Sequence, residues 1–197
     1  LVTNGELRPG DTVFVNAASS GIGLAAIQIA RGLGARQVIA SSRSAEKLAR
    51  LAEYGVDVTV HTPHQSQVDT VKAATDGHGA DIVIDSVGGP AFEDNLRSLA
   101  VRGRLVNIGR LGGHLAQIDL DILWLRRLKL IGVTFRTRSE AERLAVVQAC
   151  ARDVLPLLEA GRIRLPIERT WPMAELAQAH AMMETDQHFG KLVLTMD

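Results

Sequence analysis

Asn16-Ala17-Ala18-Ser19-Ser20-Gly21-Ile22-Gly23 is the stretch whose surroundings define the fold. A short β-branched and aromatic run, Thr12-Val13-Phe14-Val15-Asn16, leads into it, and apolar residues at helical spacing follow over 22–33, stopping at Gly34. Strand, small-residue turn and helix in that order form the context in which a glycine-rich turn holds the pyrophosphate of a dinucleotide. Small residues let the backbone approach closely, while the first helical N–H groups and the positive dipole end attract an anion. Measured against Gly-x-Gly-x-x-Gly, the match is partial: Ala17 and Ser20 stand where glycines are expected, and Gly21 and Gly23 remain. Ser19, Ser20, Gly21, Ile22 and Gly23 are the candidate contacts at this turn.

On either side of this unit the chain alternates strands with amphipathic helices. A second strand is expected at Val38-Ile39-Ala40, a helix over 44–53 with Ser44 as its N-cap, a third strand at Val58-Thr59-Val60, and a helix near 66–75. Asp81-Ile82-Val83-Ile84-Asp85 is continuously apolar in its middle, as expected for a strand buried on both faces. Pro90 opens a helix to about Leu99; a fifth strand is expected over 104–108, a sixth over 129–135 and a long helix over 139–160, interrupted late by Pro156. Such alternation implies right-handed crossovers and an α/β fold: a Rossmann-type, doubly wound, parallel six-stranded sheet. The tail, 165–197, reads as a strand, a helix and a last strand, Lys191-Leu192-Val193-Leu194, so the chain divides into a nucleotide-binding domain over 1–164 and a C-terminal segment over 165–197.

The end of the second strand bears on which dinucleotide fits. An NAD enzyme places an acid about 20 residues after the glycines to accept the ribose 2′-hydroxyl. Here the stretch reads Ala40-Ser41-Ser42-Arg43-Ser44, with Lys47 one helical turn on and no acid before Glu46. Hydroxyls, a guanidinium and an ammonium suit a 2′-phosphate, which a carboxylate would repel. NADP(H) is therefore the expected cofactor, with Ser42, Arg43 and Lys47 at its 2′ end. Asp85-Ser86-Val87-Gly88-Gly89 and Ile108-Gly109-Arg110-Leu111-Gly112-Gly113 end the fourth and fifth strands on the same carboxyl edge. Val87, Gly88, Ile108, Gly109 and Arg110 thus outline the crevice for the nicotinamide end.

Bulk properties narrow the function classes. A hydrophobic share of 46% and a charged share of 22% over 197 residues suit a soluble, core-forming chain. Lys plus Arg equals Asp plus Glu at 22 each, which offers no basic surplus for nucleic acid or an anionic membrane. No apolar run approaches transmembrane length, and a single cysteine, Cys150, fits a reducing, cytoplasmic setting. The start, Leu1-Val2-Thr3-Asn4-Gly5, has neither an initiator methionine nor a signal peptide, and is expected to be a cut through a longer protein. The six histidines are scattered in no zinc pattern, so no metal is expected. Trp124, in Asp121-Ile122-Leu123-Trp124-Leu125, is expected to pack in the core, and Arg126, Arg127 and Lys129 to form a solvated helix end.

Pro9-Gly10-Asp11, the Ala17-Ala18-Ser19-Ser20-Gly21-Ile22-Gly23 turn, Lys47, Asp85-Ser86-Val87-Gly88-Gly89 and the closing Phe189-Gly190-Lys191-Leu192-Val193-Leu194 together resemble the quinone oxidoreductase (ζ-crystallin-like) branch of the medium-chain dehydrogenases and reductases. That branch commonly replaces the first fingerprint glycine by alanine, and some members carry serine at the middle one. The resemblance implies zinc-independent hydride transfer from NADPH to a small-molecule quinone or other α,β-unsaturated carbonyl. It implies an N-terminal GroES-like catalytic domain against which the C-terminal strands pack, so catalytic residues are not assigned within these residues. It also implies a homodimer through the edge strand Leu128-Lys129-Leu130-Ile131-Gly132-Val133-Thr134-Phe135. Thr62 stands where relatives often carry a tyrosine near the adenosine.

Other readings are weaker. A short-chain dehydrogenase needs Tyr-x-x-x-Lys, and four residues after the single tyrosine, Tyr54, stands Val58. A P-loop needs Gly-Lys-Ser/Thr, whereas Gly23 is followed by Leu24-Ala25. A Rossmann methyltransferase and a non-catalytic NADPH-binding or sensing module remain as alternatives.

Overall fold

Side chains of a strand alternate between its two faces, and here both sets are apolar, so the sheet must be covered on both sides. The computed structural model describes residues 1–196. It contains β1 (Thr12–Val15), β2 (Gln37–Ser42), β3 (Val58–His61), β4 (Ala80–Asp85), β5 (Leu99–Asn107) and β6 (Lys129–Gly132), in the order β3-β2-β1-β4-β5-β6. Every neighbouring pair is parallel. Val13, Val15, Val38, Ala40, Ile82, Ile84 and Val106 face one core; Phe14, Ile39, Val60, Val83 and Leu105 face the other. Helices α1 (Gly21–Gly32) and α2 (Ala45–Leu51) cover the first face with Leu24, Ile27, Leu48 and Leu51. Helices α3 (Gln67–Ala74) and α4 (Phe92–Ser98) cover the second with Val71 and Leu96. Ser44 and Ser66 cap α2 and α3, their hydroxyls accepting from the Lys47 and Asp69 N–H groups.

The strand order reverses between β1 and β4. The crevice at their carboxyl ends is the place where open α/β sheets take their ligands.

Beyond β5 run α5 (Leu120–Arg126), β6, α6 (Glu140–Asp153), α7 (Leu155–Glu159), β7 (Ile167–Pro172), α8 (Leu176–Glu184) and β8 (Lys191–Thr195). Strands β7 and β8 pair in parallel as a separate two-stranded sheet. No helix among the described residues is long and apolar enough to cross a membrane.

Several expectations need correction. The sixth strand ends at Gly132, not Phe135: its partner β5 ends at Asn107, opposite Gly132, and the Thr134 hydroxyl then accepts from the Arg136 N–H to turn the chain. The edge is accordingly shorter than the sequence suggests. The fifth strand begins five residues early, at Leu99, because buried Leu99 and Ala100 lie beside Ala80 across a register shift. The long helix over 139–160 is two helices parted at Val154, where Pro156 has no N–H to donate and its ring opposes the preceding turn. Trp124 is 74% exposed: α5 turns Ile122 and Leu123 toward the second core, leaving Trp124 and Leu125 outside.

Candidate functional site

The turn after β1 is set by backbone bonds to both neighbouring strands. The Asn16 N–H donates to Ile84 O at 3.0 Å and the Ala18 N–H to Ser41 O at 3.0 Å. Between them Ala17 has φ 48°, a left-handed conformation that costs an alanine roughly 1–2 kcal/mol, while the fingerprint's first position, counted back from Ser20 and Gly23, is the fully buried Ala18 and not Ala17. Ser20 replaces the middle glycine by something the helix needs: as N-cap of α1 its Oγ accepts from the Gly23 N–H at 3.0 Å. The first-turn amides of Gly21 and Ile22 have no intrahelical carbonyl to donate to, and a parallel bridge pairs Ser20 with Gly190 of the tail.

Gly23 is required by close approach. A Cβ there would lie 2.6 Å from the Ala18 Cα and carbonyl oxygen and 2.7 Å from the Ala17 oxygen. Gly21 differs, since a Cβ would meet the end of the Lys191 side chain, with Nζ at 2.7 Å. The segment carrying that lysine docks on the turn: the Gly190 N–H donates to Ser19 O at 3.2 Å, and Phe189 is fully buried in the first core against Tyr54. Among the described residues the Lys191 ammonium has no hydrogen bond or ion pair. A cation held over the positive end of a helix is unfavourable without an anion between them.

A buried polar chain ties the turn to the second strand and to the far helices. Ser41 Oγ donates to Asn16 Oδ1, Asn16 Nδ2 donates to Asn95 Oδ1 at 2.7 Å, and Gln67 Nε2 donates to the same oxygen and to Ser98 Oγ. Where β2 ends, Ser42 Oγ accepts from the Ser44 N–H, so this hydroxyl shapes the turn. Arg43 and Lys47 then converge, as the sequence suggests, but on a residue of the tail. Arg43 pairs with the Asp186 carboxylate, and the Lys47 ammonium donates to the Asp186 carbonyl. His61, at the end of β3, bonds the Arg43 carbonyl through its ring Nε2 at 3.0 Å.

On the other side of the crevice the β4 and β5 loops are lashed together. Fully buried Asp85 accepts from the Val87 and Gly88 N–H groups through Oδ1 and from Asn107 Nδ2 through Oδ2, at 2.9–3.0 Å. Gly88 has φ 77°, and a Cβ there would lie 2.6 Å from Gly113 O. The Gly112 N–H donates to Val87 O at 2.8 Å, and Gly109 sits against the Ser86 backbone. Arg110 is exposed at the rim. Ser86 Oγ, one residue past the end of β4, is buried without a hydrogen-bond partner. Ile22 and Ile108 meet on the wall of an apolar pocket of about 300 Å³ that also takes in Ala25, Val133 and Phe135.

These features fit a dinucleotide: a turn closed to any side chain at Gly23, a helix N-terminus beside an unpaired ammonium, and an orphaned hydroxyl farther along the crevice. A family model described as zinc-binding dehydrogenase matches residues 21–151. The chain belongs to this family.

Within the family it stands on the quinone oxidoreductase branch of the medium-chain dehydrogenases and reductases. It is 34% identical over 193 residues to a quinone oxidoreductase of Pseudomonas aeruginosa, covering 96% of this chain and 58% of that protein. It is 31% identical over 191 residues to an acryloyl-coenzyme A reductase of Sulfurisphaera tokodaii, covering 96% of this chain and 52% of that one. The crystal structure of Escherichia coli quinone oxidoreductase complexed with NADPH superposes with a TM-score of 0.82 at 25% identity, over 97% of this chain and 59% of that one. The chain thus spans a little over half the length of these relatives.

Sequence reasoning missed two residues that the fold brings to this candidate site, Asp186 and Lys191. Lys191 was legible only as part of a closing motif, and Asp186 carried no signal: both come to the turn and to Arg43 through the docking of the tail. Despite the family's name, among the described residues no group of three or more His, Cys, Asp or Glu could hold a metal ion.

Proposed function

We propose that this chain binds NADP(H) across the carboxyl edge of its sheet, and that the whole protein transfers hydride from NADPH to a quinone or another α,β-unsaturated carbonyl. The observation that carries the reading is the glycine turn, where Gly23 packs against the Ala17–Ala18 backbone with no room for a side chain and the Lys191 ammonium lies beside Gly21 at the α1 N-terminus. Bound NADPH supplies the hydride, and the protein's contribution is to bind and orient. Ser19, Ser20, Gly21, Ile22 and Gly23 hold the pyrophosphate, with Lys191 adding positive charge. Arg43 and Lys47, positioned by Ser42 and the Ser44 cap, take the 2′-phosphate. Val87, Gly88, Ile108, Gly109 and Arg110 border the nicotinamide end, where the apolar wall of Ile22 and Ile108 favours a flat, weakly polar ring over water. This chain contributes no zinc ligand in the proposed reaction. Its tail, 165–197, is proposed to pack on a catalytic domain carried elsewhere in the whole protein. The lone cysteine, an exposed free thiol, accords with a reducing, cytoplasmic setting.

The two groups of cations have separable roles. Arg43 is 79% exposed at its side chain, so its contact and that of Lys47 are each worth about 1 kcal/mol, less than a buried charge-assisted bond. Arg43→Ala with Lys47→Ala should narrow the NADPH-over-NADH preference by roughly thirtyfold while leaving NADH affinity nearly unchanged. Lys191→Ala should weaken both cofactors alike, because both carry the pyrophosphate. Titration calorimetry with each cofactor checks this pattern; equal losses for both cofactors in the Arg43/Lys47 variant would contradict the assignment.

A homodimer through β6 is part of the proposal. This strand lies at the edge of the sheet, and Leu130 is 38% exposed on it. Two such edges can pair about a two-fold axis. Leu130→Lys keeps the strand and adds a charge, so it should shift a sedimenting dimer to monomer. Ile131→Pro should do the same by breaking the ladder. A wild-type chain that sediments only at monomer mass at micromolar concentration would contradict the dimer.

A further inference from the structure

Asp186 ends the turn that follows α8, with φ 55°. It is 143 residues from Arg43 in sequence, yet its carboxylate pairs with that guanidinium and its carbonyl accepts from the Lys47 ammonium. A single tail residue therefore engages both cations that the sequence assigns to a 2′-phosphate. The pair lies at the rim, with side chains 79% and 63% exposed, so a ligand can reach Arg43 and displace the carboxylate. A carboxylate and a phosphate present the same feature to a guanidinium, two anionic oxygens in one plane, and they compete for it.

We propose that Asp186 sets cofactor choice: its carboxylate competes with the 2′-phosphate of NADP(H) for Arg43, and offers an acceptor to the ribose 2′-hydroxyl of NAD(H). This inference rests on the reading of Arg43 and Lys47 as the 2′ end of the site. With NADP(H), the Asp186 carboxylate must leave the guanidinium or remain beside a second anion. With NAD(H), it stays paired and takes up the role that an acid at the end of the second strand fills elsewhere. The chain thereby prefers NADPH less strongly than its basic second-strand end suggests. Because both charges are exposed, the effect must fade as salt rises.

The test is the binding of NADPH and NADH to the 197-residue chain in the wild type, Asp186→Asn, Arg43→Ala and the double variant. Asparagine tolerates a left-handed φ as aspartate does, so Asp186→Asn removes the charge without straining the turn. Asp186→Gly, equally at ease there, also removes the side-chain acceptor. Asp186→Asn is expected to tighten NADPH about two- to fivefold, the range of an exposed ion pair, without tightening NADH. Asp186→Gly should do the same and should also loosen NADH. In the Arg43→Ala background the NADPH gain should vanish. If Arg43→Ala selectively weakens NADPH but neither Asp186 variant raises the NADPH-to-NADH ratio, the inference is overturned and the assignment of Arg43 stands. If Arg43→Ala weakens both cofactors equally, that assignment fails and the inference goes with it.

Discussion

Gly23→Val is expected to abolish NADPH binding and lower the melting temperature, whereas Gly21→Val should abolish or greatly weaken binding in a protein of nearly unchanged stability. The difference follows from what each new side chain meets. At position 23 the Cβ alone falls 2.6 Å from the Ala18 Cα and oxygen, backbone atoms fixed by the Ala18–Ser41 bond, and the two γ-methyl groups add to the overlap. Overpacking of that kind costs roughly 1–3 kcal/mol, and relief requires α1 to move away from the turn that aims its N-terminus. At position 21 the obstacle is the flexible end of Lys191, which can swing out. The fold is then kept, but the new side chain fills the space between the helix amides and the ammonium. Thermal melts beside NADPH titrations of both variants make the comparison, and a folded Gly23→Val protein that binds NADPH normally would contradict the placement of the pyrophosphate.

The second large effect is on turnover. The 197 residues alone should bind NADPH yet oxidise it with a quinone or enone orders of magnitude more slowly than the full-length protein. Positioning two reactants in contact contributes about 7–11 kcal/mol to such reactions, and it depends on walls around both partners. The proposed nicotinamide end is bordered by open loops: Leu111, beside Arg110, is 81% exposed. The chain also spans only 58% and 52% of the quinone oxidoreductase and acryloyl-coenzyme A reductase it resembles. Water excluded by a closed site would here reach the cofactor freely. Acceptor-dependent NADPH consumption by the purified chain at the rate of the full-length protein would show that these residues suffice.

The sheet was readable because its logic is local. Apolar runs such as Ile82-Val83-Ile84 declare burial on both faces, and Ser44 and Ser66 mark helix starts through bonds three residues long. The turn at Ala17 to Gly23 was readable because close approach and a left-handed φ restrict which residues can stand there. Tertiary choices were not. Whether β6 runs to Phe135 depends on where β5 ends, and whether Trp124 is buried depends on which side α5 turns inward. Asp186 and Lys191 reach the site only because Phe189 is anchored in the first core and Gly190 docks on Ser19, contacts between segments about 170 residues apart for which spacing holds no clue.

If the glycine turn and the second-strand end together form an NADP(H) site, calorimetric titration of NADPH and NADH into the wild-type chain should show saturable, one-to-one binding of both, tighter for NADPH, with the advantage shrinking as ionic strength rises. No saturable binding of either cofactor, or equal affinity for both at low salt, would contradict it.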